Sequence, residues 1–170
     1  MRVGFGGGCH WCTEAVYEAL EGVLAVKQGW IASYLPGARE FSEAVLVEFD
    51  ETKIEIEALF YIHLLTHNAT SSHSMRGRYR SAIYAEDPQA VTAFEELLQR
   101  LQVYFDKPLV TKVYPILAFK ENKEESLHYY LQDPNRPFCQ THIAPKLRKL
   151  KEAGFTLKPL FSQLADRSAK

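Results

Sequence analysis

The stretch Gly6-Gly7-Gly8-Cys9-His10-Trp11-Cys12-Thr13-Glu14 constrains the chain more than any other. It follows a short apolar run, Val3 to Phe5. It opens a run in which Cys12, Ala15, Val16, Ala19 and Leu20 recur at helical spacing. A strand, a triple-glycine loop and a helix therefore meet at Cys9. That puts a thiol in the first helical turn, where unpaired backbone N–H groups and the helix dipole favour negative charge. A thiol there loses its proton more readily than a free cysteine, and the thiolate is the nucleophile. Glycines allow close approach of a ligand and positive φ. The stretch predicts a reactive Cys9, served by the rest of the chain.

Only a few features of composition narrow the function further. The 170 residues read as one catalytic domain over 1–157 and a tail over 158–170. A formal net charge of −1 offers no basic field to nucleic acid or acidic lipid. No apolar run is long enough to span a membrane. The chain opens in folded-looking sequence, which predicts no secretory signal. Three cysteines are an odd number and too few for a disulfide scaffold. Together these predict a cytoplasmic, reducing setting, in which a disulfide is transient and catalytic.

After the first helix, expected to stop at Gly22, Val23 to Ser33 reads as a strand and Glu43 to Phe49 as another. A helix is expected to start at Asp50 to Lys53 and to carry Ile56, Leu59, Phe60 and Leu64. Thr66 to Gly77 is a long polar loop, of the kind that often carries function. Arg80 to Tyr84 reads as a strand. Asp87-Pro88 starts a helix with Val91, Phe94, Leu98 and Leu101 on one stripe. Leu109 to Ile116 reads as a strand and Glu121 to Gln132 as a short helix. Asp133 to Cys139 reads as irregular, Ala144 to Ala153 as a basic helix, and Ser162 to Lys170 as a fraying end. The order predicts an α+β fold: a split βαβ, ferredoxin-like two-layer sandwich with a mixed sheet and a helical or irregular C-terminal extension.

Glu43 shares its strand parity with Val45, Val47 and Phe49, so it points toward the apolar side. A carboxyl drawn there holds its proton more tightly, which suits a general acid. Parity equally allows Glu43 to sit at the strand end and reach water. Trp11 is a candidate pocket wall, or core packing. Tyr79 can donate to a substrate oxygen, or be a half-buried strand aromatic. His10 can pair with the thiolate or stack on substrate, or serve as polar packing. Cys12 completes Cys-x-x-Cys, yet it lies on the apolar stripe and reads as a small hydrophobe. Cys139, in a segment expected to be mobile, is the candidate resolving thiol.

The motif Gly7-Gly8-Cys9-His10-Trp11-Cys12-Thr13-Glu14 resembles the signature of the type A peptide methionine sulfoxide reductases, Gly-Gly-Cys-Phe-Trp-Cys/Gly-x-Glu. Gly22-Val23 with Val26 and Gly29-Trp30, Ser42-Glu43-Ala44-Val45 with Phe49-Asp50, Tyr79-Arg80-Ser81-Ala82-Ile83, and Phe138-Cys139-Gln140 with Ile143-Ala144-Pro145-Lys146 are similar to further stretches of that family, in the same order. The resemblance implies attack of Cys9 on the sulfur of an S-epimer methionine sulfoxide, free or in an oxidised protein. Glu43 would protonate the departing oxygen, Tyr79 would hydrogen-bond it, and Trp11 would hold the methyl group. Cys9 is left as a sulfenic acid, a second thiol closes a disulfide, and thioredoxin, or dithiothreitol in the test tube, reopens it. No bound cofactor is implied. His10 stands where the family usually has Phe, which makes the methyl pocket more polar. Ser74 stands where the family has Asp, and Arg76-Gly77-Arg78 precedes Tyr79.

Three other readings compete. Cys9 and Cys12 with His63 and His67 spell a Cys₂His₂ zinc set. Cys9 and Cys12 alone spell a glutaredoxin-like dithiol oxidoreductase. A degenerate homologue that binds oxidised proteins without turnover is the third.

Overall fold

The computed structural model describes residues 1–167 and, Ser74 excepted, their side chains. Six strands form one sheet: β1 (Arg2–Gly6), β2 (Val23–Ala32), β3 (Ser42–Phe49), β4 (Ala82–Ala85), β5 (Lys112–Pro115) and β6 (Ala118–Glu121). Their order is β5-β4-β1-β3-β2-β6, antiparallel throughout except for β4 with β5. Helix α1 (His10–Glu18) joins β1 to β2 while β3 lies between them. Helix α2 (Ile56–Thr66) joins β3 to β4 while β1 lies between them. Each β-α-β unit is thus split by a strand of the other, the α+β layout expected from the element order. Helix α3 (Val91–Leu101) and the C-terminal helices complete the helical layer.

The pleat of β1 shows how the sequence sorts the two faces. Val3 and Phe5 enter the main core beneath the helices, with Phe5 stacked on Tyr17 at 4.6 Å. Gly4 faces the other way, and a Cβ there would meet Ile31 and Tyr84 at 2.7 and 2.8 Å. Those two side chains, with Ala44 and Ala82, form a small second cluster on the opposite face.

Four stretches depart from the pattern reading. β6 follows β5 after a two-residue break, and its Ala-Phe-Lys-Glu carries no alternation that marks a strand. It docks on β2 at Gly29, where any side chain would collide with the Lys120 carbonyl. The stretch from Glu121 to Gln132 is a 3₁₀ turn and then the short α4 (Tyr129–Gln132), interrupted by His128 at φ +54°. Residues 50–53 form a turn rather than a helix start, closed by Asp50 Oδ1 accepting from Thr52. The end expected to fray contains α6 (Pro159–Arg167), because Phe161 and Ala165, four residues apart, are both buried. Residues 168–170 of that expected tail lie outside the described residues.

Glu14 ties α1 to α4. Its buried carboxylate accepts the backbone N–H groups of His128 (2.9 Å) and Tyr129 (3.1 Å), which a helix start leaves open. Burial pushes its pKa up to about 7. The folded state therefore holds this proton more tightly than the unfolded chain, and that contribution fades as pH rises from about 4.5 through 7. His63, held near 4 by burial, works in the opposite sense, so the comparison must be made against wild type. Glu14→Gln should gain about 3 kcal/mol on wild type between about pH 4 and pH 8 in urea unfolding. A difference independent of pH would show that Glu14 titrates as it does in the unfolded chain.

Candidate active site

The site is built on the open end of α1. Cys9 is the N-cap residue, extended at φ −61° and ψ 131°, and its carbonyl accepts the N–H groups of Cys12 and Thr13. No side-chain oxygen caps the helix. The thiol lies close enough to the Trp11 and Cys12 backbone N–H groups for them to favour its charged form. The first helical N–H, that of His10, points elsewhere and donates to Glu43 Oε1 at 3.3 Å. One helix end thus faces both a thiol and a carboxyl. Gly7, at φ +151°, brings the chain into this turn, and a Cβ there would lie 2.5 Å from the His67 ring.

The Cys9 pKa is lowered, first by a hydrogen bond from the Cys12 thiol and then by the backbone N–H groups. Burial and the Glu43 charge oppose this. Cys12 is shifted the other way, because it is the donor to Cys9 and is buried. The structure therefore gives Cys12 a polar duty on top of its apolar packing: it keeps its own proton and favours the thiolate on Cys9.

Glu43 comes from β3 and is buried at 2 % exposure, so the water-facing alternative does not hold. Its Oε2 accepts from Arg78 Nε at 2.5 Å, and its Oε1 lies 3.3 Å from His10 Nδ1 as well as from the His10 N–H. The His10 ring is fully engaged. Nδ1 lies 3.2 Å from the Gly29 carbonyl, Nε2 lies 3.2 Å from Asn122 Nδ2, and Trp30 meets the ring edge-on at 5.2 Å. Burial holds its pKa below the usual histidine range, so Nδ1 carries the proton and Nε2 accepts. Tyr79 is half-buried beside Arg78, whose guanidinium lies 5.4 Å from the ring centre. Its pKa is raised, by burial first and then by the Glu43 charge.

Trp11 stacks flat on Tyr129, with 4.1 Å between ring centres and 5° between planes, and meets Phe138 edge-on at 5.7 Å. Its indole N–H is buried and, among the described residues, without a partner. Cys139 differs from its expected setting. It lies fully buried in a π-helical turn, Cys139–Ile143, that runs into α5 (Ala144–Glu152), rather than in a mobile irregular segment. The reason is that Cys139 and Ile143, four apart, belong to the main core. Its neighbours include Cys12 and Tyr130, whose pKa values sense its charge.

The structure thus brings Cys9, His10, Glu43 and Tyr79 to one side, sets Trp11 in an aromatic stack beside them, and leaves Cys139 in the core. Pattern reading missed Arg78 as the Glu43 partner and Tyr129 as the Trp11 partner. The signal for Arg78 was its place immediately before Tyr79. Tyr129 carried none, since its contact is made across 118 residues of chain by tertiary packing alone.

A cavity of about 220 Å³ opens on the other side of Cys9, lined among others by Cys12, His63, His67, Phe138 and Lys146. The two histidines of the zinc reading are here, with three of their four ring nitrogens engaged and His63 Nδ1 buried without a partner among the described residues. His63 Nε2 donates to the Gly6 carbonyl at 2.6 Å, and His67 bonds the His63 carbonyl and Ser81 Oγ. Among the described residues, the grouping close enough to share an ion is Glu14, Glu18 and His128. Both oxygens of Glu14 there already accept backbone N–H groups. Cys9, Cys12, His63 and His67 do not form such a grouping among the described residues.

A thiol primed by a helix end, with a buried carboxyl and a phenol beside it, is the equipment of a thiol-dependent redox enzyme on an α+β sandwich. Comparison with known proteins gives the class its family. The family model described as peptide methionine sulfoxide reductase matches residues 1–158. Peptide methionine sulfoxide reductase MsrA of Paenarthrobacter aurescens is 31% identical over 160 residues, covering 86% of this chain and 92% of the relative. The Deinococcus radiodurans relative of the same name is 31% identical over 163 residues, covering 87% and 79%. Among solved structures, Mxr1 from Saccharomyces cerevisiae in reduced form is similar with a TM-score of 0.70 at 20% identity, covering 84% of this chain and 90% of that one. Mxr1 in complex with Trx2 is similar with a TM-score of 0.59 at 18% identity, covering 74% and 82%. The chain belongs to the peptide methionine sulfoxide reductase family, and its activity is that of a methionine sulfoxide reductase.

Proposed function

We propose that this protein reduces the S epimer of methionine sulfoxide, free or within oxidised proteins, through a sulfenic acid on Cys9. The observation that carries this reading is the Cys9 thiol at the open end of α1 together with the buried Glu43 carboxyl held by the His10 N–H of the same turn. The Cys9 thiolate attacks the sulfoxide sulfur, Glu43 supplies the proton, and oxygen passes to Cys9 as the sulfide leaves. Tyr79, on the same side through Arg78, hydrogen-bonds the sulfoxide oxygen. Trp11 holds the S-methyl group against its aromatic stack. His10, with both ring nitrogens engaged, contributes to the substrate pocket by positioning Glu43. The choice of the S epimer rests on the likeness of Gly7 to Glu14 to the type A signature.

The sulfenic acid then condenses with a second thiol and releases water. Cys12 lies beside Cys9, lowers its pKa and is placed to close the first disulfide. Cys139, beside Cys12 in the core, takes that disulfide over by exchange when the 139–143 turn loosens. An external dithiol, thioredoxin or dithiothreitol, reopens it, and the yeast Mxr1–Trx2 complex supports thioredoxin as the partner. No bound cofactor is needed for these steps. Residues 1–157 would form the catalytic unit, acting in the cytoplasm.

The test is one turnover without reductant on each separated epimer. The S epimer should yield about one equivalent of methionine per enzyme, with loss of two free thiols and a disulfide that peptide mapping assigns among Cys9, Cys12 and Cys139. Turnover of the R epimer alone would overturn the reading. Absence of turnover on either would favour a homologue that binds without reducing.

A further inference from the structure

The segment 76–80 lies along 40–43. Arg78 O accepts the Glu43 N–H (2.9 Å) and Ser42 Oγ–H (2.7 Å), and the Arg80 N–H donates to Ser42 Oγ (2.8 Å). Between this pair of segments and the turn at Gly37 lies a cleft of about 520 Å³, lined by Gly37, Arg39, Glu40, Arg76, Gly77 and Arg80. Its walls carry three guanidinium groups against one carboxylate. Among the described residues none of the three is ion-paired. Arg76 donates to the carbonyls of Ser71, Gly7, Tyr79 and Asn68. Arg80 donates to those of Ile31 and Glu40 and to the Tyr84 hydroxyl. Arg39 Nε donates to the Tyr34 carbonyl.

Carbonyls orient a guanidinium but do not cancel its charge. In a chain whose formal net charge is −1, three guanidinium groups against one carboxylate beside one cleft make a local positive field. Gly77, in the cleft wall, is the residue next to Arg78, and Arg78 holds Glu43. Arg76 of the cleft wall also donates to the Gly7 carbonyl, two residues before Cys9, so the cleft adjoins the candidate site and a flanking residue of a bound peptide, at about 3.3 Å per residue, would reach it.

We infer that this cleft takes a carboxylate of the substrate, so that acidic segments of oxidised proteins are preferred. The inference rests on the reductase reading and extends it to substrate choice. An Asp or Glu one to three residues from the oxidised methionine would pair with the guanidinium fork, whose geometry matches the two oxygens of a carboxylate. The α-carboxylate of free methionine sulfoxide offers the same chemistry from a second source.

Matched pentapeptides with a central S-sulfoxide, flanked by Asp, Ala or Lys, separate the possibilities. Wild type should show a KM about fivefold lower for the Asp peptide than for the Lys peptide, and added salt should shrink that ratio. Arg39 is exposed and can be replaced without burying an unpaired group. Arg39→Glu should abolish or invert the ratio. Calorimetric binding of the same peptides carries the comparison even if no sulfoxide is reduced, so failure of the activity and failure of the cleft remain distinct. Free methionine sulfoxide compared with its N-acetyl amide reports the second source. Equal KM and equal affinity across the charge series, or a preference for Asp that survives Arg39→Glu, would overturn the inference.

Discussion

Cys9→Ser will reduce methionine sulfoxide turnover by roughly 10⁴–10⁶, to background, as expected for loss of a covalent nucleophile. The substitution separates chemistry from folding. Cys9 is an N-cap whose side chain brings no oxygen to the helix end, and serine is among the preferred residues there. The variant should therefore unfold at the same denaturant concentration as wild type or higher, by about 0.5–1 kcal/mol, while its activity is lost. Substantial activity in the variant would move the nucleophile to Cys12 and restore the Cys-x-x-Cys reading. Lost activity with a collapsed denaturation midpoint would show that the thiol holds the site together rather than reacting.

The second large effect is at Glu43. Glu43→Gln keeps the shape and keeps an oxygen for the His10 N–H, but it cannot release a proton to the sulfoxide oxygen. The chemical step should slow by roughly 10²–10⁴ in single-turnover measurements, with little change in peptide affinity. The variant also leaves Arg78 without its partner, so Arg78→Gln is the control. A loss confined to Glu43→Gln marks proton transfer, whereas equal losses in both mark the ion pair. If Glu43→Gln turns over at the wild-type rate, water or the Tyr79 hydroxyl supplies the proton.

Much of the site was legible because it follows from local rules. Cys9 could be placed from a strand, three glycines and an amphipathic run. Glu43 could be placed on the apolar side from parity, although parity alone did not exclude the solvent. Its burial depends on His10 and Arg78 arriving from α1 and from the segment before β4, and a strand's own sequence carries no record of that. Cys139 misled for a related reason. Two prolines within six residues read as irregular chain, yet Cys139 and Ile143 have helical spacing and a shared core to enter. β6 was invisible because its cause lies in Gly29 of another strand, which leaves room for the Lys120 carbonyl. α6 was hidden by polar neighbours around its buried pair. Elements driven by their own periodicity were readable, and elements that exist because a partner makes room for them were not.

The sharing of one helix end by two reacting groups has a mechanical consequence. The His10, Trp11 and Cys12 amides are consecutive links of a single rigid turn, so thiol and carboxyl cannot be retuned separately by moving that turn. A tilt or slight unwinding of the first turn of α1 would draw the His10 N–H from Glu43 and the Trp11 N–H from Cys9 together, leaving the carboxyl to Arg78 alone. Activity should therefore vanish in one step along any path that loosens this turn, with no regime in which the enzyme still forms the thiolate but fails to deliver the proton. The molecule behaves as a latch with a single pin.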